Sequence, residues 1–232
     1  MGSLRWISLT QRADAFPPPS EALTEPNGLL AAGGDLAPER LLAAYSRGIF
    51  PWYQEGQPIL WWCPDPRAVL WPGDLKISRS LRRSVASRGF EFRVNAAFAD
   101  VVAGCAEPRH YGGGTWITRE MAAAYARLNA LGWAHSFESW RDGALVGGLY
   151  GVAIGRMFFG ESMFTRATDA SKVALVRAVE YLSARGVELI DCQIASAHTT
   201  SLGAVDVPRA EFLKHVAKFC RPPVSPQDWH SP

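Results

Sequence analysis

Three polar side chains stand out because their neighbours are almost all apolar: Glu161 within MFFGESMF, and Asp191 with Gln193 within VELIDCQI. A carboxylate or an amide is costly to bury without partners, so such groups on apolar strands either cap a neighbouring loop or take part in chemistry. Period two puts Glu161 on the face of Phe159 and Met163, and sets Asp191 beside Gln193, opposite Ile190, Cys192 and Ile194. An acid beside an amide on an apolar strand suggests a functional site. Both readings, cap and catalyst, follow from these residues alone.

Aromatic and basic residues form a second set of candidates. GIFPWY and PILWWCPDPR crowd Trp52, Tyr53, Trp61 and Trp62 among prolines. Rings held on stiff loops serve as stacking platforms or as an apolar seam between domains, and Trp52, in its turn, is the better ligand candidate. Trp116 follows a glycine-rich loop at Gly112–Gly114 and has the same character. In LKISRSLRRSVASRG the spacing predicts a helix over 75–89, with Arg79, Arg82 and Arg83 on one face and Lys76 a turn earlier. A one-sided basic face is either a solvated surface or a phosphate contact.

Other chemistries find little support. The four cysteines, Cys63, Cys105, Cys192 and Cys220, are scattered, with no spacing for a zinc site or a disulfide framework, so reduced thiols and no metal are expected. His198 with Ser196 or Cys192 lacks the strained elbow of a nucleophilic triad. Gly33 and Gly34 read as a turn, because no strand precedes them in the manner of a phosphate loop and no Gly-Lys-Ser/Thr follows. A net charge of +2 is too small to imply a protein coated in nucleic acid. No apolar leader and no window of about eighteen apolar residues is present, which points to the cytoplasm and away from a membrane.

These residues have to be held by 232 residues at 48% hydrophobic composition, enough for a small domain plus a medium one. A proline-rich arm over 16–27 precedes a helix from Pro38 to about Gly48, and a domain boundary is placed near Arg67, dividing 1–66 from 67–232. Beyond it come a short strand at Phe90–Val94, a helix from Ala96 to about Ala106, and a helix from about Arg119 capped by Thr118 and Gly132. Strands at His135–Trp140, Ala144–Ile154 and Met157–Phe164 form an antiparallel meander, with turns at Asp142-Gly143 and Gly155-Arg156. The next helix starts after Asp169 as N-cap, carries Leu175, Val176, Val179 and Leu182 on one stripe, and stops at Gly186 before the strand Val187–Ile194. A terminal helix over Pro208–Phe219 and a loose tail from Pro222 complete the chain. The order gives an α/β (α+β) fold: a small N-terminal domain, then an acetyltransferase-like domain with a mixed, mainly antiparallel sheet.

GLLAAGGDL, YSRGIFPWY, WWCPDPR, GTWIT, FFGESMF, ASK, LIDCQ and SLGA, in this order, make the chain resemble the leucyl/phenylalanyl-tRNA–protein transferases over nearly its whole length. Cys63, Asn129 and the Thr199-Thr200 pair depart from the residues usual there. The resemblance implies transfer of Leu or Phe, and also Met, from aminoacyl-tRNA to proteins beginning with Arg or Lys, creating a degradation signal, with no cofactor. It implies that Trp52 and Trp116 hold the 3′-terminal adenosine and that Phe158 and Glu161 lie beside the aminoacyl group. It further implies that Asp191 and Gln193 are the catalytic pair, with Leu149, Met163, Leu175 and Ile190 lining the side-chain pocket. The basic helix would then face the acceptor stem. A coenzyme A acyltransferase fits less well, since TRATDASK offers no glycine loop for a pyrophosphate. A tRNA-binding module without catalysis would leave Glu161, Asp191 and Gln193 without a role.

Overall fold

Two sheets organise the chain in a computed structural model that describes residues 4–87, 89–107, 116–221 and 224–231. The glycine-rich loop at Gly112–Gly114 lies outside the described residues. The first sheet contains β1 (Arg5–Ile7) and β2 (Leu29–Gly33), which pair in parallel; α1 (Pro38–Tyr45) follows them. β3 (Phe50–Pro51) and β4 (Leu60–Trp62) complete the order β1-β2-β4-β3. A strand ending on Gly33 thus runs into the Gly33-Gly34 pair, where none was expected: five consecutive buried residues, LLAAG, lack the alternation that marks a strand with one wet face. Trp61 is wholly buried in this sheet, its indole donating to Gly33 O at 2.8 Å.

β5 (Arg67–Leu70) opens the large sheet, and α2 (Arg79–Ser87), β6 (Glu91–Val94), α3 (Phe98–Ala106) and α4 (Arg119–Ala130) follow. Thr118 caps α4 as expected, its hydroxyl accepting from Met121 N at 3.2 Å. β7 (Ala134–Arg141), β8 (Ala144–Ile154) and β9 (Met157–Thr165) form the antiparallel meander; α5 (Ala170–Ser183) then crosses over to β10 (Leu189–Gln193). α6 (Ala197–Ser201), β11 (Val205–Val207) and α7 (Arg209–Phe219) close the chain. The strand order is β11-β5-β10-β9-β8-β7-β6, and within this sheet only β9 and β10 pair in parallel among the described residues. This is the mixed, mainly antiparallel sheet that the element order predicts.

Both faces of the large sheet are covered. One apolar core joins Ile7, Leu30 and Trp61 of the small sheet to Val101, Tyr125, Tyr150 and Phe159 of the large one. A second lies under α5 and gathers Leu70, Phe137, Phe158, Val179, Leu182 and Ile190. α5 sits so close to β8 that a Cβ on Gly147 would come within 2.7 Å of Ala170 Cβ, which only glycine avoids.

Several local expectations yield to tertiary contacts. Asp169 adopts φ 66° and does not cap α5; instead its carboxylate accepts from the Ser84 hydroxyl at 2.6 Å, tying α2 to α5. Lys76 precedes α2 in an extended stretch, its backbone N–H donating to Leu202 O at 2.9 Å, so it does not extend the basic helical face. Leu175 is half-buried and packs with Val179 and Leu182 as expected, whereas Val176 belongs to a separate cluster with Leu81, Val173 and Leu202. The tail is anchored: Trp229 is buried against His135, Phe137 and Tyr181, and Tyr181 donates to His230 O at 2.9 Å. A single large aromatic thus fastens a segment whose prolines read as loose.

Candidate active site

The parallel pairing of β9 with β10 runs through Met157, Phe158 and Phe159 and stops at the pair Phe159–Asp191. Beyond this point each strand carries a bulge. On β9, Ser162 pairs with Tyr150 and Gly160 with Gly151, so Glu161 is the extra residue. On β10, Asp191 pairs with Val69 and Gln193 with Ala68, leaving Cys192 extra and forcing Gln193 to φ 61°. A bulge re-aims the side chains beside it, and these two turn Glu161 and Gln193 toward each other. The amide Nε2 of Gln193 donates to Glu161 Oε1 at 3.0 Å. Period two therefore fails at Glu161: Phe159 belongs to one core, whereas Met163 packs on the other.

Asp191 is fully buried and held from behind. Arg67 on β5, equally buried, grips it with two bonds, Nε to Oδ1 at 2.8 Å and Nη2 to Oδ2 at 2.6 Å. Arg67 Nη1 donates to Gly48 O at 3.1 Å, and the guanidinium lies between the rings of Phe50 and Phe212. Asp191 Oδ1 also accepts the backbone N–H of Gln193 at 2.9 Å, fixing the strained residue in place. The carboxylate thus takes three donors and is a firm anchor.

Glu161 is the titratable group of the site. Burial pushes its carboxyl up to about 7; the hydrogen bonds from Tyr45 and Tyr125 pull it down and the charge of Asp191 pushes it up. Tyr45 on α1 donates to Oε1 at 2.6 Å, and Tyr125 on α4 donates to Oε2 at 2.7 Å. Burial first, then the charge of Glu161, raises both phenols well above the ordinary tyrosine range. Burial also raises the Cys192 thiol to about 12, which removes it as a nucleophile.

Where β9 and β10 part lies a cavity of about 510 Å3. Its apolar wall contains Leu149, Phe158, Met163, Leu175 and Ile190; Trp116, Glu161 and Asp191 also line it. Gln193 reaches this group through Glu161. Trp52 stands apart: it does not line the cavity, is 42% exposed, and packs against Trp62 with ring centres 5.6 Å apart. Arg79, Arg82 and Arg83 occupy the exposed side of α2, with Leu81 and Ser84 turned inward. Sequence reasoning missed Arg67, Tyr45 and Tyr125; a cation opening the apolar strand RAVL was the available signal for the first. It also passed over Tyr150 and Ser162 and weighed His198 only as part of a triad; all three line the cavity, and each keeps one buried polar atom without a partner among the described residues.

A mixed sheet thus parts beside an apolar cavity, with an acid, an amide and a clamped aspartate at the parting. Residues 69–217 match the family described as "Leucyl/phenylalanyl-tRNA protein transferase", and residues 34–65 match the N-terminal domain of that family. A "Leucyl/phenylalanyl-tRNA--protein transferase" of Aromatoleum aromaticum is 60% identical over 92% of this chain and 90% of its own length. One from Methylococcus capsulatus is 56% identical over 99% and 98%. The chain belongs to the leucyl/phenylalanyl-tRNA protein transferase family. Among solved structures, a GCN5-related N-acetyltransferase from Kribbella flavida aligns at TM-score 0.37, with 16% identity over 74% of this chain and 61% of its own. The C-terminal domain of a putative lysylphosphatidylglycerol synthetase from Agrobacterium fabrum aligns at 0.39, with 14% identity over 87% and 66%.

Proposed function

We propose that the chain moves Leu, Phe or Met from aminoacyl-tRNA to the α-amino group of proteins that begin with Arg or Lys, in the cytoplasm. The observation that carries the mechanism is the unbroken polar line Arg67–Asp191–Gln193–Glu161 at the edge of an apolar cavity. The donor side chain enters the cavity, against Leu149, Phe158, Met163, Leu175 and Ile190, which leaves the ester beside the polar line. Trp116 at the wall stacks on the terminal adenosine, with Trp52 on the approach. The Arg side chains of α2, with Lys76, meet the phosphates of the acceptor stem.

The reaction is aminolysis: the neutral amine attacks the ester carbonyl, a C–N bond forms, the C–O bond to the ribose breaks, and the proton shed by nitrogen leaves on the ribose oxygen. No net proton sink is needed. An α-amino group, with pKa about 7.7 to 8.0, is partly neutral at cellular pH, so alignment at about 3 Å is the main requirement. The Gln193 side-chain oxygen accepts from that amine, Asp191 steers Gln193 through its backbone N–H, and negative charge on Asp191 favours a cationic N-terminal residue. Asp191, occupied by Arg67, orients rather than deprotonates. On this reading the chain divides into a small N-terminal domain, 1–66, and a catalytic domain, 67–232. Incubation of the purified protein with Leu-tRNA and an Arg-initiated peptide tests the reading; the peptide should gain one Leu at its N-terminus, and an unchanged peptide overturns it.

A further inference from the structure

Two phenolic oxygens and the carboxyl of Glu161 close a ring. Tyr45 Oη lies 2.6 Å from Glu161 Oε1, Tyr125 Oη 2.7 Å from Oε2, and the two phenolic oxygens lie 2.6 Å from each other. Oxygens this close are bridged by a proton, so the ring has three sides to fill. The two phenols supply two protons. The third has to sit on the carboxyl, and a head-to-tail circuit then satisfies every side: Glu161 to Tyr125, Tyr125 to Tyr45, Tyr45 back to Glu161, or the reverse.

We propose that Tyr45, Tyr125 and a protonated Glu161 form a closed ring of three shared protons, and that Tyr45 and Tyr125 are positioning residues that set the orientation of the Gln193 amide. With every ring proton engaged, Glu161 has none to offer Gln193. It accepts only, so Gln193 turns Nε2 toward it, and the amide oxygen is left for the incoming amine. Opening the ring releases the carboxyl proton toward Gln193, which flips and presents N–H groups to a substrate that needs an acceptor.

The groups facing Glu161 fit a neutral carboxyl. Asp191 on β10 already carries the local negative charge and is balanced by Arg67 on β5. Tyr150 on β8, like Tyr45 on α1 and Tyr125 on α4, stays protonated, because burial raises each well above the usual range. The position of the Glu161 carboxyl near 7, against 4.5 for an ordinary one, agrees.

The inference rests on the transferase reading for the role of the amide, but not for the ring. Infrared spectra of the whole protein, with Glu161→Gln as the assignment control, should show a protonated carboxyl band below neutral pH that fades with a midpoint near 7. Absence of that band overturns the ring whatever the enzyme does. Tyr45→Phe and Tyr125→Phe should each lower kcat by about tenfold or more, with KM for charged tRNA unchanged. Full kcat in both variants, measured beside an active wild type, overturns the positioning role. An inactive wild type with the band present overturns the transferase reading alone.

Discussion

Replacing Asp191 by Asn should separate what the buried pair does for the fold from what it does for the reaction. Arg67 and Asp191 are both 0% exposed, and the guanidinium gives Asp191 two of its three donors. Asn keeps the shape but removes the charge, leaving a guanidinium in the core with no counter-ion. Breaking such a pair from one side costs about 3 to 5 kcal/mol, a large part of a total stability of about 5 to 15 kcal/mol. Equilibrium urea unfolding measures it; a loss below about 1 kcal/mol refutes the premise that the pair is dry and tightly coupled. The double replacement Arg67→Met with Asp191→Leu removes both charges and should recover the stability, since exchanging a buried pair for apolar groups is often neutral or better. Transfer should not recover, because nothing then holds the Gln193 backbone N–H. If the stable double variant keeps its single-turnover rate within about threefold, less than one kcal/mol of barrier, Asp191 has no part in the chemistry.

Glu161 titrates at about 4.5 when unfolded and about 7 when folded, so its contribution to stability is complete below the lower value and lost as pH rises through the upper one. Unfolding free energy should fall by up to roughly 3 kcal/mol across that window; Glu161→Gln should remove that slope, and a slope unchanged by the substitution refutes the shift. Neutralising Arg79 and Arg82 should weaken every tRNA alike and flatten the dependence of log affinity on log salt by about one unit or more; an identical slope returns α2 to a solvated surface. Donors charged with Leu, Phe or Met should react about ten- to two-hundredfold faster than those charged with Val or Ile, measured as kcat/KM on one tRNA body. Met163→Ala should relax that preference, and equal values for Leu and Ile in the wild type exclude a cavity that senses branching at Cβ.

Glu161, Asp191 and Gln193 were legible in the sequence because an apolar strand is a background against which a polar residue is conspicuous. The meander and its crossover were legible too, since glycine turns and the stripe on α5 are local patterns. The cavity residues came through the family resemblance, as a hydrophobic residue in a wall looks the same as one in a core. Local pattern misled where tertiary contacts were stronger: Asp169 left its capping role for Ser84, and Trp229 fastened a tail that its prolines marked as loose. What only the folded chain decided is the set of partners. Arg67 is 124 residues from Asp191, and Tyr45 is 116 from Glu161, separations at which no periodicity operates. The bulges at Glu161 and Cys192 likewise arise between paired strands rather than within one, and they override the period of two that each strand shows alone. A side chain's type is written in the sequence, but its protonation and its direction depend on which distant groups packing brings against it.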